Sequence, residues 1–218
     1  MNTYNDDDQV ELLKNWWSNN GTSTVVSIFV AISIIFGWQY YQDTNLNKKE
    51  NASLAYQELI EAVFDIEQNT DDIKIARAIF MADKIKSDFG KSAYGHFSAL
   101  LKARQAVQDG DLELAKEELN WVLSKDPVDE IRYITTLRLA KVLFEQDRND
   151  EAIALLDSEP KHSFSHAFLE LKGDIFFSVE NYSEAVDAYE KSIDISKELG
   201  LSLSQLLDIK LNHARTFL

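Results

Sequence analysis

The 218-residue chain contains no cysteine, two prolines and seven glycines. The absence of cysteine excludes disulfides, thiol catalysis and metal sites with cysteine ligands. Because proline and glycine are the residues that most often end a helix, their scarcity favours helices throughout the chain. Basic residues are also few, since 22 lysines and arginines stand against 37 aspartates and glutamates, for a formal net charge of −15. Such a surface repels phosphate backbones, so the sequence predicts no nucleic-acid partner.

Charged residues are missing altogether between Lys14 and Asp43. The twenty-residue run TSTVVSIFVAISIIFGWQYY lies within this interval, from residue 22 to 41. As a helix it would measure about 30 Å, which is the thickness of the hydrocarbon core of a bilayer. The sequence therefore predicts a transmembrane helix at residues 22–42, with a buried helix of a soluble core as the alternative. Aromatic residues, which prefer the headgroup region, flank the run at both ends: Trp16, Trp17, Trp38, Tyr40 and Tyr41.

The segment before this run differs from a secretory signal, which needs a basic start and a cleavage site of small residues. Here the start is acidic and the run closes in the bulky sequence GWQYY, so we expect an anchor that is retained. One basic residue near the run precedes it and two follow it, so the positive-inside rule gives no firm orientation and leans slightly toward a C-terminus on the inside. Residues 1–21 are predicted to form an acidic tail with a short amphipathic turn, which Asn19-Asn20-Gly21 ends.

Two small residues within the predicted span, Ser33 and Gly37, are four positions apart and therefore share one helix face. Small residues at this spacing allow the backbone of another helix to approach closely. We expect Ser33 and Gly37 to be transmembrane contacts with a partner helix, and chance spacing is the alternative.

The rest of the chain contains a repeat. Three polar turns, at residues 109–111, 147–149 and 180–182, are each followed by a helix-forming phrase with an alanine at a fixed place. These alanines, Ala115, Ala152 and Ala185, are 37 and 33 residues apart. This pattern resembles tetratricopeptide repeats, whose period is about 34 residues.

The resemblance implies an all-α fold in which one N-terminal transmembrane helix is followed by a tetratricopeptide-like α-solenoid. Paired helices would pack closely because Ala or Gly on one faces Leu, Phe or Tyr on the other. Residues 201–218 would form the closing helix. An ordinary helical bundle is the alternative.

A protein-binding groove is the functional site that this resemblance implies. The first helix of each tetratricopeptide unit lines a concave groove, and a mixture of aromatic and charged groups there would suit a protein segment. For the aromatic residues, the alternative is a place in the core. By position, the groove candidates are Phe97, Arg104, Lys141, Phe144, Glu170, Asp174 and Phe177.

No grouping of side chains predicts catalysis. His162, His166 and Glu170 would share a face of one continuous helix, as metal ligands can, but no fourth ligand is near in sequence. Solvated polar side chains are therefore the preferred interpretation. The sequence predicts a non-enzymatic protein with no catalytic residue, cofactor or metal.

The N-terminal third carries a more specific resemblance. The phrases DDQVELLKNWWSNNG, GWQYYQ and ASLAYQEL follow one another there. They resemble the YfgM family, ancillary subunits of the bacterial Sec (SecYEG) translocon. The resemblance implies a single pass through the inner membrane, with a cytoplasmic N-terminus and a periplasmic repeat domain at residues 43–218. The implied partners are Sec translocon subunits, a membrane-anchored periplasmic chaperone of the prolyl-isomerase type, and translocating polypeptides.

Two functions follow from this resemblance. The first is a non-enzymatic accessory subunit of the translocon, which binds proteins through its repeat domain and helps pass newly translocated chains to periplasmic chaperones. The alternative is a membrane-tethered regulator whose cytosolic tail, with its acidic residues 6–8, sequesters a response-regulator signalling protein.

Overall fold

The computed structural model describes residues 6–68, 71–158, 163–202 and 204–218. Every regular element in these ranges is a helix, which confirms the predicted all-α fold. The chain divides into two compact units, Met1–Asn51 and Ala52–Leu218. The nine helices of the described ranges are α1 (Asp6–Gln68), α2 (Asp72–Phe89), α3 (Ala93–Gln108), α4 (Leu112–Leu123), α5 (Asp129–Glu145), α6 (Asn149–Asp157), α7 (Ser165–Ser178), α8 (Tyr182–Glu198) and α9 (Gln205–Arg215).

The first helix does not break at Asn19-Asn20-Gly21, so that prediction is wrong. The polar side chains around the break point bond to the carbonyls of their own helix and do not end it. The Nδ2 of Asn20 donates to the Trp16 carbonyl at 3.1 Å, and Thr24 Oγ1 donates to the Asn20 carbonyl at 2.9 Å. Gly21 lies against the Trp17 ring, because a Cβ placed there would be 3.1 Å from Trp17 Cε2. The amphipathic segment and the apolar run therefore belong to one helix.

The apolar run of α1 is exposed along its length, not buried. Phe29, Ile34 and Phe36 are 66%, 66% and 67% exposed, respectively. This contradicts the alternative of a buried helix in a soluble core. Within the described residues, α1 is the one helix long and apolar enough to cross a membrane, with a window mean hydropathy of 1.8.

In the second unit the same turn joins the two helices of each of three pairs. Gly110, Asp147 and Glu180 have φ angles of 78°, 58° and 59°, and each lies between the paired helices α3–α4, α5–α6 and α7–α8, respectively. In each turn the next residue donates its backbone N–H to the carbonyl five positions earlier, at 2.8 to 2.9 Å. This bond satisfies a carbonyl at the end of the first helix. The three turns predicted from the sequence are therefore the same structure.

The alanines of the repeat, Ala115, Ala152 and Ala185, are all 0% exposed. A glycine serves the same purpose in α7, where Gly173 lies directly under the ring of Tyr189 in α8. A Cβ at Gly173 would be 2.4 Å from Tyr189 Cε1, which is far inside van der Waals contact. Small residues thus meet large ones across the helix pairs, as the repeat pattern predicts.

The core of the second unit forms three clusters. The largest extends from α3 to α7, and a second joins α8 and α9 through residues that include Tyr189 and Leu211. The third packs Leu59, near the end of α1, against Ala78 and Ile85 of α2. The end of α1 and α2 therefore form one more packed pair, which the sequence pattern did not reveal as part of the repeat. The predicted closing helix is α9; within that segment, Leu203 lies outside the described residues.

Candidate functional site

The first helices of two consecutive pairs, α3 and α5, contact each other and carry cations without carboxylates among them. Helix α3 contains Lys102 and Arg104 but no aspartate or glutamate. In α5, residues 131–144 contain three basic residues and no acidic one. This is a local reversal of charge in a chain whose net charge is −15.

Three of these cations, Arg104, Arg138 and Lys141, are exposed, and we call them the basic face. Partial burial lowers the pKa of Arg138, and the positive charge of Arg104, on the contacting helix α3, lowers it further. Arg138 and Lys141 have no hydrogen bond or ion pair with any other residue that the structure describes. The basic face is therefore positive, crowded and only partly compensated.

Beside the basic face lies a cleft of about 220 Å³, which we call the apolar cleft. Its walls come from the end of α1, from α2 and from α3, and Arg104 belongs to its edge as well as to the basic face. The residues that line it are Leu59, Val63, Ile66, Ile75, Ala78, Ile79, Ala82, Leu101, Lys102, Arg104, Gln105 and Gln108.

Lys102 also lines the cleft but is not part of the basic face, and its charge is paired with carboxylates. Its Nζ contacts Asp83 at 2.6 Å and Glu118 at 2.7 Å. Burial alone would lower the pKa of Lys102, but its hydrogen bonds to Asp83 and Glu118 and their charges outweigh this and raise it. Glu118 is itself buried and also pairs with Lys86, so this group of charges joins α2, α3 and α4. It is a packing arrangement of the fold.

A second charged region lies on α7, where Glu170 and Asp174 are half-buried, and we call them the acidic pair. Lys210 of α9 binds both carboxylates, each at 2.8 Å, and the Tyr189 hydroxyl donates to Asp174 at 2.8 Å. Burial by itself lowers the pKa of Lys210, but the two hydrogen-bonded carboxylates raise it overall. Burial, and then the bond to Asp174, raises the pKa of Tyr189. Both carboxylates of the acidic pair are thus bound by neighbouring side chains, and they share one cation, Lys210.

The three aromatic groove candidates are in different surroundings. Phe97 is 37% exposed, and its ring centroid lies 6.0 Å from that of Tyr56 in α1. Phe144 is half-buried and packs against the largest core cluster. Phe177 packs among aromatic rings of α8 and of the C-terminal segment: Tyr182, His213 and Phe217. Of the three, Phe97 is therefore the one that a partner could reach with least rearrangement.

The predicted transmembrane contacts, Ser33 and Gly37, are both exposed on α1. The Oγ of Ser33 donates to the Phe29 carbonyl at 2.8 Å, so its hydroxyl is satisfied within the helix. A Cβ at Gly37 would have no neighbour within 4 Å. The close approach that these small residues would allow remains a prediction.

Of the three residues weighed as metal ligands, His162 lies outside the described residues. His166 Nδ1 lies 3.2 Å from the Ser163 carbonyl oxygen, and Glu170 is bound by Lys210. Among the described residues, no group of three His, Cys, Asp or Glu side chains could hold a metal ion.

The sequence reasoning missed Arg138, Lys210 and the apolar cleft. A signal for the first was present, since α3 and the middle of α5 lack acidic residues in an otherwise acidic chain. No sequence signal was available for Lys210, because its partners in α7 are 36 and 40 residues away. The cleft was missed because the end of α1 and α2 were not recognised as a helix pair.

Comparison with known proteins extends over both units. The chain matches the protein family described as "Tetratricopeptide repeat-like domain" over residues 14–216. A protein of Escherichia coli named "Ancillary SecYEG translocon subunit" is 27% identical over 209 residues, which cover 96% of each chain. Proteins of the same name from Haemophilus influenzae and Aggregatibacter actinomycetemcomitans are each 26% identical, over 95% and 97% of this chain and 97% and 98% of their own lengths. These similarities confirm the resemblance to ancillary subunits of the translocon and to tetratricopeptide repeats.

Proposed function

This chain belongs to the tetratricopeptide repeat-like domain family, and from that premise we propose that it is a non-enzymatic, protein-binding accessory subunit of the SecYEG translocon. In this proposal residues 22–42 anchor it in the bacterial inner membrane, with residues 1–21 in the cytoplasm. The repeat domain, residues 43–218, lies in the periplasm. There it helps pass newly translocated polypeptides to periplasmic chaperones, including a membrane-anchored one of the prolyl-isomerase type.

The observation that carries this proposal is the extent of the similarity. The relatives named as translocon subunits match about 96% of this chain, including the apolar helix as well as the repeat. A relationship confined to the repeat would support only a general protein-binding role, since one fold can host many functions. The similarity over the membrane-proximal part supports a shared location as well.

The exposed apolar run supports the membrane anchor on physical grounds. Each large apolar side chain that leaves water gains about 1.5–3 kcal/mol, and the side chains of Phe29, Ile34 and Phe36 are all about two-thirds exposed. A bilayer would cover them without any partner protein. Ser33 and Gly37, on the same helix, are the positions that we propose to contact a translocon helix.

The repeat domain supports binding and not chemistry. Its exposed charges on α3 and α5 and the neighbouring apolar cleft offer the two kinds of contact that a polypeptide needs. We propose the groove side chains as the contacts: Phe97, Arg104, Lys141, Phe144, Glu170, Asp174 and Phe177.

Crosslinking in native membranes tests the proposal. The full chain with an affinity tag is crosslinked and purified, and we expect SecYEG subunits and a periplasmic chaperone to be recovered with it. The matched control replaces residues 22–42 by an unrelated apolar helix of the same length, which keeps the anchor and removes Ser33 and Gly37. Recovery of neither partner with the unaltered chain would contradict the proposed function.

The orientation is tested with a reporter fused after Leu218 that is active only in the periplasm. We expect activity there, and none from the same reporter fused before residue 1. A reporter at Leu218 that is active only in the cytoplasm would contradict the periplasmic location of the repeat domain.

A further inference from the structure

The charges on the first helices of the repeat are not placed to stabilise the fold. Most half-buried cations of this domain have a carboxylate partner, as Lys102 and Lys210 do. Arg138 and Lys141 are exposed and have no such partner among the described residues, and Arg104, on the contacting helix α3, acts unfavourably on the charge of Arg138. Like charges held close together destabilise a folded protein. An arrangement that costs stability and lies on an exposed face is typical of a binding site.

The apolar cleft places a second kind of contact beside these cations. Leu101 and Arg104 are three positions apart on α3, and both line the cleft. A ligand bound there would therefore meet aliphatic side chains and a guanidinium group together. At about 220 Å³, the cleft is smaller than the roughly 300–1,000 Å³ of a typical small-molecule site. It suits individual side chains of a larger ligand better than a whole small molecule.

We propose that the basic face and the apolar cleft bind an acidic polypeptide segment in which carboxylates stand beside aliphatic side chains. The aliphatic side chains enter the apolar cleft, while the carboxylates pair with Arg138 and Lys141. Guanidinium groups suit this task because they bind carboxylates with two parallel hydrogen bonds. This inference rests on the proposed function of the repeat domain as a protein-binding module, and it specifies the chemistry of the segment that the domain binds.

An acidic polypeptide fits better than an anionic lipid surface. A membrane presents a broad negative plane, and the chain brings a net charge of −15 to it, so the surrounding carboxylates would be repelled. A polypeptide segment can place its charges on the basic face alone. It also supplies side chains of the size that the apolar cleft accepts.

The test uses the full chain in nanodiscs of zwitterionic lipid and three fluorescent synthetic peptides. The first alternates glutamate with leucine, the second has lysine in place of each glutamate, and the third has serine in place of each leucine. Fluorescence anisotropy measures binding. We expect the first peptide to bind at least about tenfold more tightly than either of the others, since it alone supplies both contacts. Equal binding of the three peptides would overturn the proposal.

Two double variants locate the site. Arg138→Glu with Lys141→Glu reverses two charges of the basic face, and we expect it to weaken binding of the first peptide by at least about tenfold. Lys191→Glu with Lys197→Glu makes the same change in net charge on exposed positions of α8. That control is expected to stay within about twofold of the unaltered chain. Equal weakening by both variants would mean that only overall charge matters, and would overturn the proposal.

Two further measurements complete the test. The unfolding temperature of the charge-reversed variant should be equal to or higher than that of the unaltered chain, since neither side chain loses an ion pair and the repulsion between Arg104 and Arg138 is removed. Vesicles with anionic lipid should not compete for the peptide; competition that depends on Arg138 and Lys141 would assign the site to a lipid surface and overturn the proposal. The crosslinking experiment above is independent, because recovery of SecYEG does not require the acidic peptide to bind. Failure of the peptide with intact SecYEG recovery therefore removes this inference alone, and the reverse result removes the translocon role alone.

Discussion

The basic face on α3 and α5 and the acidic pair on α7 occupy equivalent places, since all three helices are the first of their pairs. They differ in what their neighbours supply. Lys210 binds both members of the acidic pair, and Tyr189 binds one of them, Asp174. Arg138 and Lys141, in contrast, contact no carboxylate among the described residues. The same position of a repeat can thus serve packing or recognition, depending on whether the next helix provides a counter-charge.

The difference follows from the order of the helices. Helix α9 comes after the last complete pair, and it carries Lys210, which reaches α7. The next first helix after α3 is α5, which contacts α3 and adds the like charge of Arg138 to that of Arg104. The helix that closes the stack therefore supplies a counter-charge to the acidic pair on α7, whereas the cations of α5, Arg138 and Lys141, receive none from the described residues.

The largest change in the free energy of unfolding is expected from Gly173→Ala, in α7, the helix that carries the acidic pair. The new Cβ would be 2.4 Å from Tyr189 Cε1, so the ring that bonds to Asp174 must move. Overpacking of this kind costs about 1–3 kcal/mol, and we expect a loss near the upper end, reduced by the better helix propensity of alanine. Denaturant unfolding measures it. Gly37→Ala is the matched control, since nothing lies within 4 Å of a Cβ there, and it should leave the unfolding of the repeat domain unchanged.

A smaller loss of folding stability is expected from Lys210→Met. The variant leaves Glu170 and Asp174 without their shared cation, at side-chain exposures of 28% each, so water screens part of the effect. We expect a loss of about 1–2 kcal/mol at neutral pH. The exposed Lys191→Met is the control and should have no measurable effect; an equal loss in both would show that the acidic pair is not special.

The linkage of Lys210 to stability has a definite sign. Its pKa is raised in the folded chain, so the stability it contributes is fully present below the unfolded pKa, about 10.4, and is lost as the pH rises through the folded value. At neutral pH the contribution of Lys210 is therefore constant, and the difference between the unaltered chain and Lys210→Met should decrease only in the alkaline range.

The smallest effect is expected from Arg138→Met, and its sign should be opposite. Removing this cation relieves its repulsion by Arg104 and breaks no ion pair among the described residues, so stability should be unchanged or rise by about 0.5 kcal/mol. Unfolding of Arg138→Met and Lys210→Met under the same conditions gives the comparison directly. A clear destabilisation by Arg138→Met would mean that the two regions do not differ in the way described.

The sequence predicted the features that depend on local pattern. The fixed alanines and the three polar turns were recognisable because each repeat needs a small residue at one packing position and a residue with positive φ in its turn. The apolar run was recognisable because it lacks charge over a length that spans a bilayer. These features are set by residues close together in the chain.

The features that the sequence did not predict have two physical causes. Some depend on contacts between residues far apart in the chain, and others on competition between weak local signals. Asn19-Asn20-Gly21 has the composition of a helix end, but the side-chain bonds of Asn20 and Thr24 and the packing of Trp17 keep the helix continuous. The pairing of Lys210 with α7 joins residues up to 40 positions apart. The local repeat pattern located groove positions such as Phe177, but it gave no information about which neighbours cover them.

The basic face has a consequence for how quickly a partner arrives. The basic face is a cationic patch on a domain in which residues 43–218 contain 33 acidic and 21 basic residues, so it attracts an acidic segment only at short range. At physiological ionic strength the field of the surrounding charges is screened beyond about 8 Å, so an approaching segment senses the patch only when it is nearly in contact. Distant segments are therefore not steered to the face, which favours segments that are already held nearby. Local delivery, not free diffusion, is the regime in which such a surface works best.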